Sequence, residues 1–248
     1  MKKMKGIWLA ALVALPLAGI ADEVTNVTWK SSLTLGATYK SGNTEKSLYT
    51  GTLKADRTAP KSDWLNSLYT EYGKTEDTTT GEKEQTEGQA RLQSDYRYKF
   101  GGKNFFGGVF GEAYYDDIKN IRTRLKLGPN IGYYLINKET MKFDISFGVN
   151  YVYERTAATE DNFGEYRAAA NYLWDITEKS SYYFNIEYSA RMEDVDDGNG
   201  LLVTGVKSAV KDNLAMFVEV RDEYDNMPEV GVAENNDLTI IAGLSYDF

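Results

Sequence analysis

The sequence predicts an all-β fold: a single antiparallel transmembrane β-barrel of about twelve strands, formed after a cleaved signal peptide. Two observations predict this fold. Apolar and polar residues alternate along many stretches of roughly ten residues, the length that crosses a bilayer at a tilt. Aromatic residues gather at the two ends of these stretches, and aliphatic or small residues fill their centres.

The amino terminus has the pattern of a secretory signal peptide. Its basic head carries three lysines, residues 6–18 are almost all apolar, and small residues stand where a signal peptidase reads the chain. We therefore predict a signal peptide over 1–21 and an outer-membrane barrel over 22–248, with the mature chain beginning at Asp22. An uncleaved anchor helix is the alternative.

The composition excludes several classes of protein. The 248 residues include no Cys and no His, and the formal net charge of -9 becomes -12 without the three lysines of residues 1–21. This acidity argues against nucleic acid as a partner. Mean hydropathy is -0.48, and no later apolar run approaches the ~18 residues of a spanning helix. The exported chain has no disulfide to stabilise it.

The alternation is clearest in the stretch MKFDISFGVNYVY at 141–153, where Phe143, Ile145 and Phe147 alternate with Asp144 and Ser146. This period predicts a strand with one apolar face and one polar face. Only the stretch at 64–72 has a weaker pattern, because Asn66 interrupts it. The predicted strands are 29–39, 47–55, 64–72, 86–100, 105–115, 121–135, 141–153, 164–176, 182–192, 202–210, 214–224 and 238–248.

The connections between strands alternate in length, which is typical of outer-membrane barrels. Short turns are predicted at 57–62, 101–104, 137–140, 177–180 and 211–213. Longer and mostly acidic loops are predicted at 75–85, 155–162, 193–200 and 225–236, with short connections on the same side at 41–45 and 116–120.

The positions of the aromatic residues predict which face meets lipid. Two aromatic belts around an aliphatic band suit a bilayer, whereas a water-soluble core has no reason to sort its aromatics by height. We expect the apolar face to turn outward, with a soluble barrel of lipocalin type as the alternative. The short-turn belt is Trp29, Trp64, Tyr98, Phe100, Phe105, Tyr133, Tyr172, Trp174, Tyr182 and Phe248. The long-loop belt is Tyr39, Tyr72, Tyr115, Tyr151, Tyr153, Tyr166, Tyr188 and Tyr224.

The opposite face carries charges of both signs, which we expect to form paired ladders in the lumen. A barrel of about twelve strands is wider than one filled by side chains and narrower than a general porin. A narrow passive pore and a plugged structural barrel therefore remain equal alternatives, and acidic outer loops favour cation entry at low salt. The predicted lumen charges are Arg91, Asp95, Arg97, Arg122, Arg124, Lys126, Asp144, Arg167, Glu187, Arg191, Glu219 and Arg221.

The last residues, GLSYDF, resemble the carboxy-terminal signal of bacterial outer-membrane proteins, with Tyr246 and Phe248 at the third-last and last positions. The resemblance implies outer-membrane lipid and the barrel-assembly machinery as partners. The segment LTLGATYKSGNTEKSLYTGTLKADR, with its SGNT turn at 41–44, resembles the opening of the domain of unknown function 481 family, also called salt-induced outer membrane proteins. That family implies an outer-membrane barrel associated with salt or envelope stress, and it supplies no catalytic residue, substrate or cofactor.

Two further functions were weighed against a pore. An enzyme of this compartment usually relies on a His base, which this chain lacks, so Glu187 and Glu219 are the candidate lumen carboxylates. We expect them to form salt bridges rather than a catalytic site, and we predict no catalytic residue, no metal site and no cofactor.

The second alternative is weak binding of divalent cations by the acidic stretch EDVDDGNG. It places Asp194, Asp196 and Asp197 in a spacing similar to a calcium loop. The later ligand positions are occupied by Gly198 and Gly205, so an acidic turn is the expected structure.

Overall fold

The protein forms a twelve-stranded antiparallel sheet. The computed structural model describes residues 27–40, 44–77, 80–102, 104–227 and 235–248. A single turn of 3-10 helix, Phe100–Gly102, precedes β5. The strands are β1 Thr28–Lys40, β2 Thr44–Thr58, β3 Ser62–Asp77, β4 Lys83–Lys99, β5 Phe105–Asp116, β6 Ile121–Asn137, β7 Met141–Thr156, β8 Glu160–Thr177, β9 Ser180–Arg191, β10 Gly198–Lys211, β11 Leu214–Asp225 and β12 Asn236–Asp247.

The sheet closes on itself as a barrel, as the sequence predicts. Each strand pairs with its neighbours in sequence, and β1 pairs with both β2 and β12. Leu35, for example, lies opposite Gly51 on one side and Leu244 on the other. Closure leaves no edge strand, so the backbone groups of the wall are paired without help from solvent. No helix in the described residues is long and apolar enough to cross a membrane.

The apolar face of the sheet turns outward, which confirms the predicted orientation. In β7, Phe147 is 58% exposed and Tyr151 is 63% exposed, whereas Ser146 is fully buried and Asn150 is 3% exposed. A soluble barrel would have the opposite arrangement, because its apolar side chains would fill the interior. The exterior is therefore a lipid-facing surface and the interior is polar.

Neighbouring aromatic rings contact one another around the short-turn end of the barrel. Trp29 and Trp64 meet edge to face with ring centroids 6.1 Å apart. Edge contacts of this kind suit the amphipathic rings of the headgroup zone. The other ring pairs in this belt are Tyr98–Phe100, Phe100–Phe105, Phe143–Tyr172, Tyr172–Tyr182 and Tyr246–Phe248.

The strands are longer than the predicted ten residues, because pairing continues beyond the bilayer. The connection between β3 and β4 is 78–82, whereas the sequence pattern predicted a loop at 75–85. Lys83 and Glu76 form an ion pair of 3.1 Å across these two strand ends. The alternation fades there because both faces meet water, while the backbone ladder does not require alternation.

A bulge at the start of β6 makes two predicted side-chain directions wrong. The pairing register with β7 shifts between Ile121 and Thr123, so the strand carries one extra residue there. A bulge breaks the strict alternation of side-chain direction. Ile121, predicted to face lipid, is buried, and Arg122, predicted to face the lumen, is exposed.

Asn66 faces lipid, and local hydrogen bonds satisfy its polar atoms. Its side-chain amide donates to the carbonyl oxygen of Ala55 at 2.9 Å, and the hydroxyl of Ser94 donates to its side-chain oxygen at 2.9 Å. The indole N–H of Trp64 donates in turn to Ser94. The weak alternation at 64–72 therefore belongs to a regular strand, β3.

Some predicted features lie outside the described residues. These are the signal peptide over 1–21, the Ser41–Asn43 part of the SGNT turn, the side chain of Tyr39, and residues 228–234 of the last loop.

Candidate functional site in the barrel lumen

Arg97 anchors the half of the lumen next to the short turns. Its Nε donates to Asp95 at 2.8 Å and its Nη1 donates to Asp144 at 3.0 Å. Its guanidinium also lies over the ring of Phe106, 4.7 Å from the centroid. These contacts join β4, β5 and β7, so one side chain connects three of the twelve strands and compensates two buried carboxylates.

The network around Arg97 extends through β3 and β6. The hydroxyl of Tyr134 donates to Asp63 at 2.6 Å, and Lys99 Nζ donates to the other oxygen of Asp63 at 2.7 Å. Tyr134 also packs against Phe106. A buried carboxylate is stable only when its oxygens receive hydrogen bonds, and here two strands supply them.

Lys126 holds the centre of the lumen. Its Nζ donates to Glu165 at 2.8 Å and lies 3.9 Å from Glu112. The side-chain amide of Asn150 donates to Glu165, and that of Gln93 donates to Glu112. These are the cross-strand charge ladders predicted from the sequence, although several of the partners are amides rather than charges.

Glu223 links opposite walls of the barrel near the long loops. It lies on β11 and accepts a hydrogen bond of 3.3 Å from Gln89 on β4. It also forms an ion pair of 3.5 Å with Lys119 in the turn after β5. Gln89 also donates to Glu71 at 3.1 Å. We call Glu71, Gln89, Lys119 and Glu223 the crossbar. It narrows the lumen at its level.

Arginine guanidinium groups lie over aromatic rings along the lumen. Arg167 on β8 lies 3.8 Å from the ring centroid of Phe110 on β5, and Arg221 on β11 lies 3.8 Å from that of Tyr69 on β3. Both contacts join strands that are not neighbours. A guanidinium group over an aromatic ring gains a cation–π attraction and also fills space in the lumen.

Four inward-facing aromatics lie opposite glycines in the neighbouring strand. The alternation of apolar and polar residues does not indicate them, because they stand on the polar face of their strands. A Cβ atom at Gly132 would lie 2.3 Å from Cζ of Phe106, so the absent side chain is what lets the ring lie along the wall. The pairs are Phe106–Gly132, Phe110–Gly128, Tyr183–Gly205 and Phe217–Gly243.

The two candidate catalytic carboxylates lie apart. Glu187 accepts a hydrogen bond of 2.6 Å from Arg167, and Glu219 accepts one of 2.8 Å from the hydroxyl of Tyr183. They lie opposite Leu201 and Gly205 of β10, which are about 13 Å apart along the strand. The expected salt bridge forms at Glu187, whereas Glu219 has a tyrosine partner.

The acidic turn after β9 is organised by Arg191, which lies at the long-loop end of β9. Its Nε donates to Asp197 at 3.0 Å and its Nη1 donates to Asp161 at 2.9 Å. The hydrogen bond from Arg191 lowers the pKa of Asp161, which lies in the part of β8 beyond the aromatic belt. Asp194 accepts a hydrogen bond from the backbone N–H of Asp196. Within the described ranges, no group of three or more His, Cys, Asp or Glu side chains is placed to hold a metal ion.

Several buried polar atoms in the lumen lack a protein partner. They lie on inward positions of β4 and of β6–β9. A buried polar atom without a protein partner is normally satisfied by water. The atoms are Gln89 Oε1, Arg91 Nε, Asn130 Oδ1, Ser146 Oγ, Arg167 Nε and Nη1, and Ser189 Oγ.

The family model described as "Protein of unknown function, DUF481" matches residues 33–248. The chain belongs to this family. A comparison of the DUF481 chain with curated protein sequences gives no match.

Solved structures similar to this DUF481 barrel include outer-membrane porins and an autotransporter barrel. The NanC porin matches with a TM-score of 0.56 at 9% identity, over 87% of this chain and 98% of the porin. The KdgM porin matches with a TM-score of 0.49 at 10% identity, over 88% of this chain and 99% of the porin. The translocator domain of the autotransporter NalP from Neisseria meningitidis matches with a TM-score of 0.42 at 11% identity, over 95% of this chain and 91% of that domain. The likeness to NanC shows a shared fold, and with the lipid-facing exterior it identifies an outer-membrane β-barrel.

Proposed function

We propose that the protein is a narrow, water-filled channel of the outer membrane for ions and small polar solutes. The observation that carries this proposal is the set of buried lumen atoms without protein partners, among them Arg91 Nε and Ser189 Oγ. Such atoms call for water along much of the lumen height, and we expect ions to pass where these waters form a connected file. The porin fold of NanC supports a pore at the level of architecture.

The crossbar sets the size limit of this channel. Gln89 and Lys119 reach Glu223 from the other side of the barrel, and Arg167 covers Phe110 further down. A twelve-stranded barrel with such contacts has far less open area than a porin of sixteen strands or more. We therefore expect passage of hydrated monovalent ions and exclusion of oligosaccharides.

A plugged structural barrel is the second candidate, and the crossbar favours it. Planar-bilayer recording of the refolded mature protein distinguishes the two. A channel gives discrete current steps much smaller than those of a general porin recorded in the same salt. Currents indistinguishable from those of an empty bilayer would leave the structural role, and steps of porin size would contradict the narrow lumen.

Ion preference follows from the acidic outer loops. We expect cations to be favoured at low salt, because exposed carboxylates such as those of Asp194 and Asp196 concentrate cations at the mouth. A reversal potential measured in a salt gradient tests this. The stacked lumen arginines oppose the effect, so raising the salt should reduce the preference by screening the loops first.

We propose that the barrel has no hydrolase activity. Glu187 and Glu219 each have a hydrogen-bonding partner, and the sequence contains no His to serve as a base. The folded protein should not turn over phospholipid, peptide or acyl-ester substrates. Turnover that disappears in Glu187→Gln or Glu219→Gln would reverse this conclusion.

The carboxy-terminal aromatics are proposed to be the recognition element for the barrel-assembly machinery. Tyr246 and Phe248 stack at 6.4 Å on the lipid side of β12. Phe248→Ala should reduce the amount of protein assembled in the outer membrane, while Phe248→Trp, which keeps an aromatic side chain, should preserve it. Equal assembly of both variants would remove the proposed role.

The association with salt or envelope stress rests on the family resemblance alone and is kept as a proposal. It predicts that the amount of this protein in the outer membrane rises after a shift to high salt. Quantitative immunoblotting of outer-membrane fractions before and after the shift tests it, and a constant amount would count against it.

A further inference from the structure

A cavity of about 70 Å³ lies in the half of the lumen next to the long loops. It lies between β4–β6 on one side and β9–β11 on the other, beside the crossbar. One water molecule needs roughly 10–15 Å³ of such volume, so the cavity has room for several waters or for one small ion with water. Its lining includes Arg91, Glu112, Tyr114, Ser189, Glu187 and Glu223.

The acidic groups of this cavity already have donors. Glu112 accepts a hydrogen bond from Gln93 and lies 3.9 Å from Nζ of Lys126. Glu187 accepts a hydrogen bond from Arg167. Glu223 accepts a hydrogen bond from Gln89 and forms an ion pair with Lys119 in the crossbar. Asp225 accepts the backbone N–H of Met227 at 3.0 Å. Each of these carboxylates therefore already has at least one donor in the protein.

The basic groups of the lining are paired as well, with one exception. Lys119 pairs with Glu223, Lys126 pairs with Glu165, and Arg124 pairs with Glu154. Arg91 forms no ion pair within 4.0 Å in the described chain, its Nε is buried without a hydrogen bond, and its guanidinium lies 4.7 Å from the ring centroid of Tyr114. The hydroxyl of Ser189, also on the cavity wall, lacks a partner too.

We propose that this cavity binds a small monovalent anion, of the size of formate or chloride, through Arg91 with help from Ser189. Among the described residues of the lining, Arg91 is the cation without an ion pair, and an anion in the cavity would supply one. The inference deepens the proposed channel function: an anion that passes through the lumen pauses at Arg91, so anion flux saturates with concentration.

Thermal unfolding of the refolded mature protein in detergent micelles tests the site without requiring conductance. Potassium formate should raise the unfolding midpoint relative to potassium gluconate at equal ionic strength, because gluconate is too large for the cavity and a ligand that binds only the folded state stabilises it. Arg91→Gln should lose this formate shift. Arg122→Gln removes the same charge from an exposed position outside the lumen and should keep it.

The outcomes separate the site from the channel. An equal formate shift in Arg91→Gln, or no shift in the wild-type protein, would overturn the anion site. If Arg91→Gln does not refold, Ser189→Ala decides by the same comparison: a reduced shift supports the site and an unchanged shift overturns it. In bilayers, wild-type formate current should saturate and that of Arg91→Gln should not. A formate shift without any current would instead reject the channel while the site stands.

Discussion

Two adjacent residues of β7 allow a direct test of which face of the wall meets lipid. Phe147 lies on the exterior between Ile131 and Ala168, and Ser146 lies in the lumen between Gly132 and Ala169. We consider Lys and Met at each position. Met is a linear, uncharged side chain of similar length, so the difference between the two variants isolates the charge from the change in packing.

The expected magnitude follows from depth and neighbours. Phe147 lies midway between Phe143 and Tyr151, roughly 13 Å of strand from each, and is therefore near the bilayer midplane. Lys there should cost about 2–4 kcal/mol more than Met. At fully buried Ser146 both variants overfill the site, at a cost of about 1–3 kcal/mol. The additional cost of the charge should be smaller there than at Phe147, because the carboxylate of Asp144 lies on the same face of β7.

Denaturant unfolding of the four variants, each refolded into the same bilayer, gives both differences. Each variant must show the wild-type denaturant dependence, so that changes in midpoint can be converted into free energy. A charge penalty at Ser146 equal to or larger than that at Phe147 would refute the assignment of faces. It would mean that the alternation in MKFDISFGVNYVY does not report lipid contact.

Two further predictions concern single contacts, and a third concerns the amino terminus. Gly132→Ala should destabilise the barrel by about 1–3 kcal/mol in the same unfolding assay, because its Cβ would meet Phe106 and the carbonyl of Ile145. Gly111→Ala should be nearly neutral, because the nearest atom to its Cβ would be 3.7 Å away. Equal effects would exclude the aromatic–glycine fit as the cause. Lys119→Ala should increase single-channel conductance, because it removes one contact of the crossbar. Lys138→Ala, in a short turn, should leave the conductance unchanged. If Lys119→Ala has the wild-type conductance, the crossbar does not limit the flow of ions. Amino-terminal sequencing of protein from outer-membrane fractions should begin at Asp22, and recovery of Met1 would reject the signal peptide.

The wall of the barrel could be predicted from the sequence because lipid imposes one simple rule on it. Side chains exposed to the bilayer are apolar with few exceptions such as Asn66, so the period of two appears directly in segments such as 141–153. The prediction failed where that rule stops applying. Beyond the bilayer the strands continue with polar residues on both faces, and a bulge at the start of β6 changes the side-chain directions of Ile121 and Arg122.

For the lumen, only the polar and charged composition could be predicted from the sequence. Its individual contacts could not, because they join residues that are distant in sequence. The pattern indicated charges of both signs inside, and Arg97, Lys126 and Arg167 do form ion pairs there. It could not indicate that Glu223 is reached from the turn after β5, since that contact depends on closure of the whole barrel. The inward aromatics carried a usable signal: two phenylalanines four residues apart on the polar face of β5, opposite glycines of β6.

The same lumen contacts offer one account of how an acidic, exported chain without cysteine is stabilised. Lipid forbids unpaired backbone groups, so closure by the β1–β12 pair makes the ladder continuous, and opening it would expose polar groups to hydrocarbon. The wall alone would enclose a wide space. Aromatic rings lying over glycines, such as Phe217 over Gly243, thicken the wall from inside, and residues such as Arg97 then bridge what remains. Stability and narrowness therefore arise from the same side chains, so a substitution that widens the lumen should also lower the free energy of unfolding.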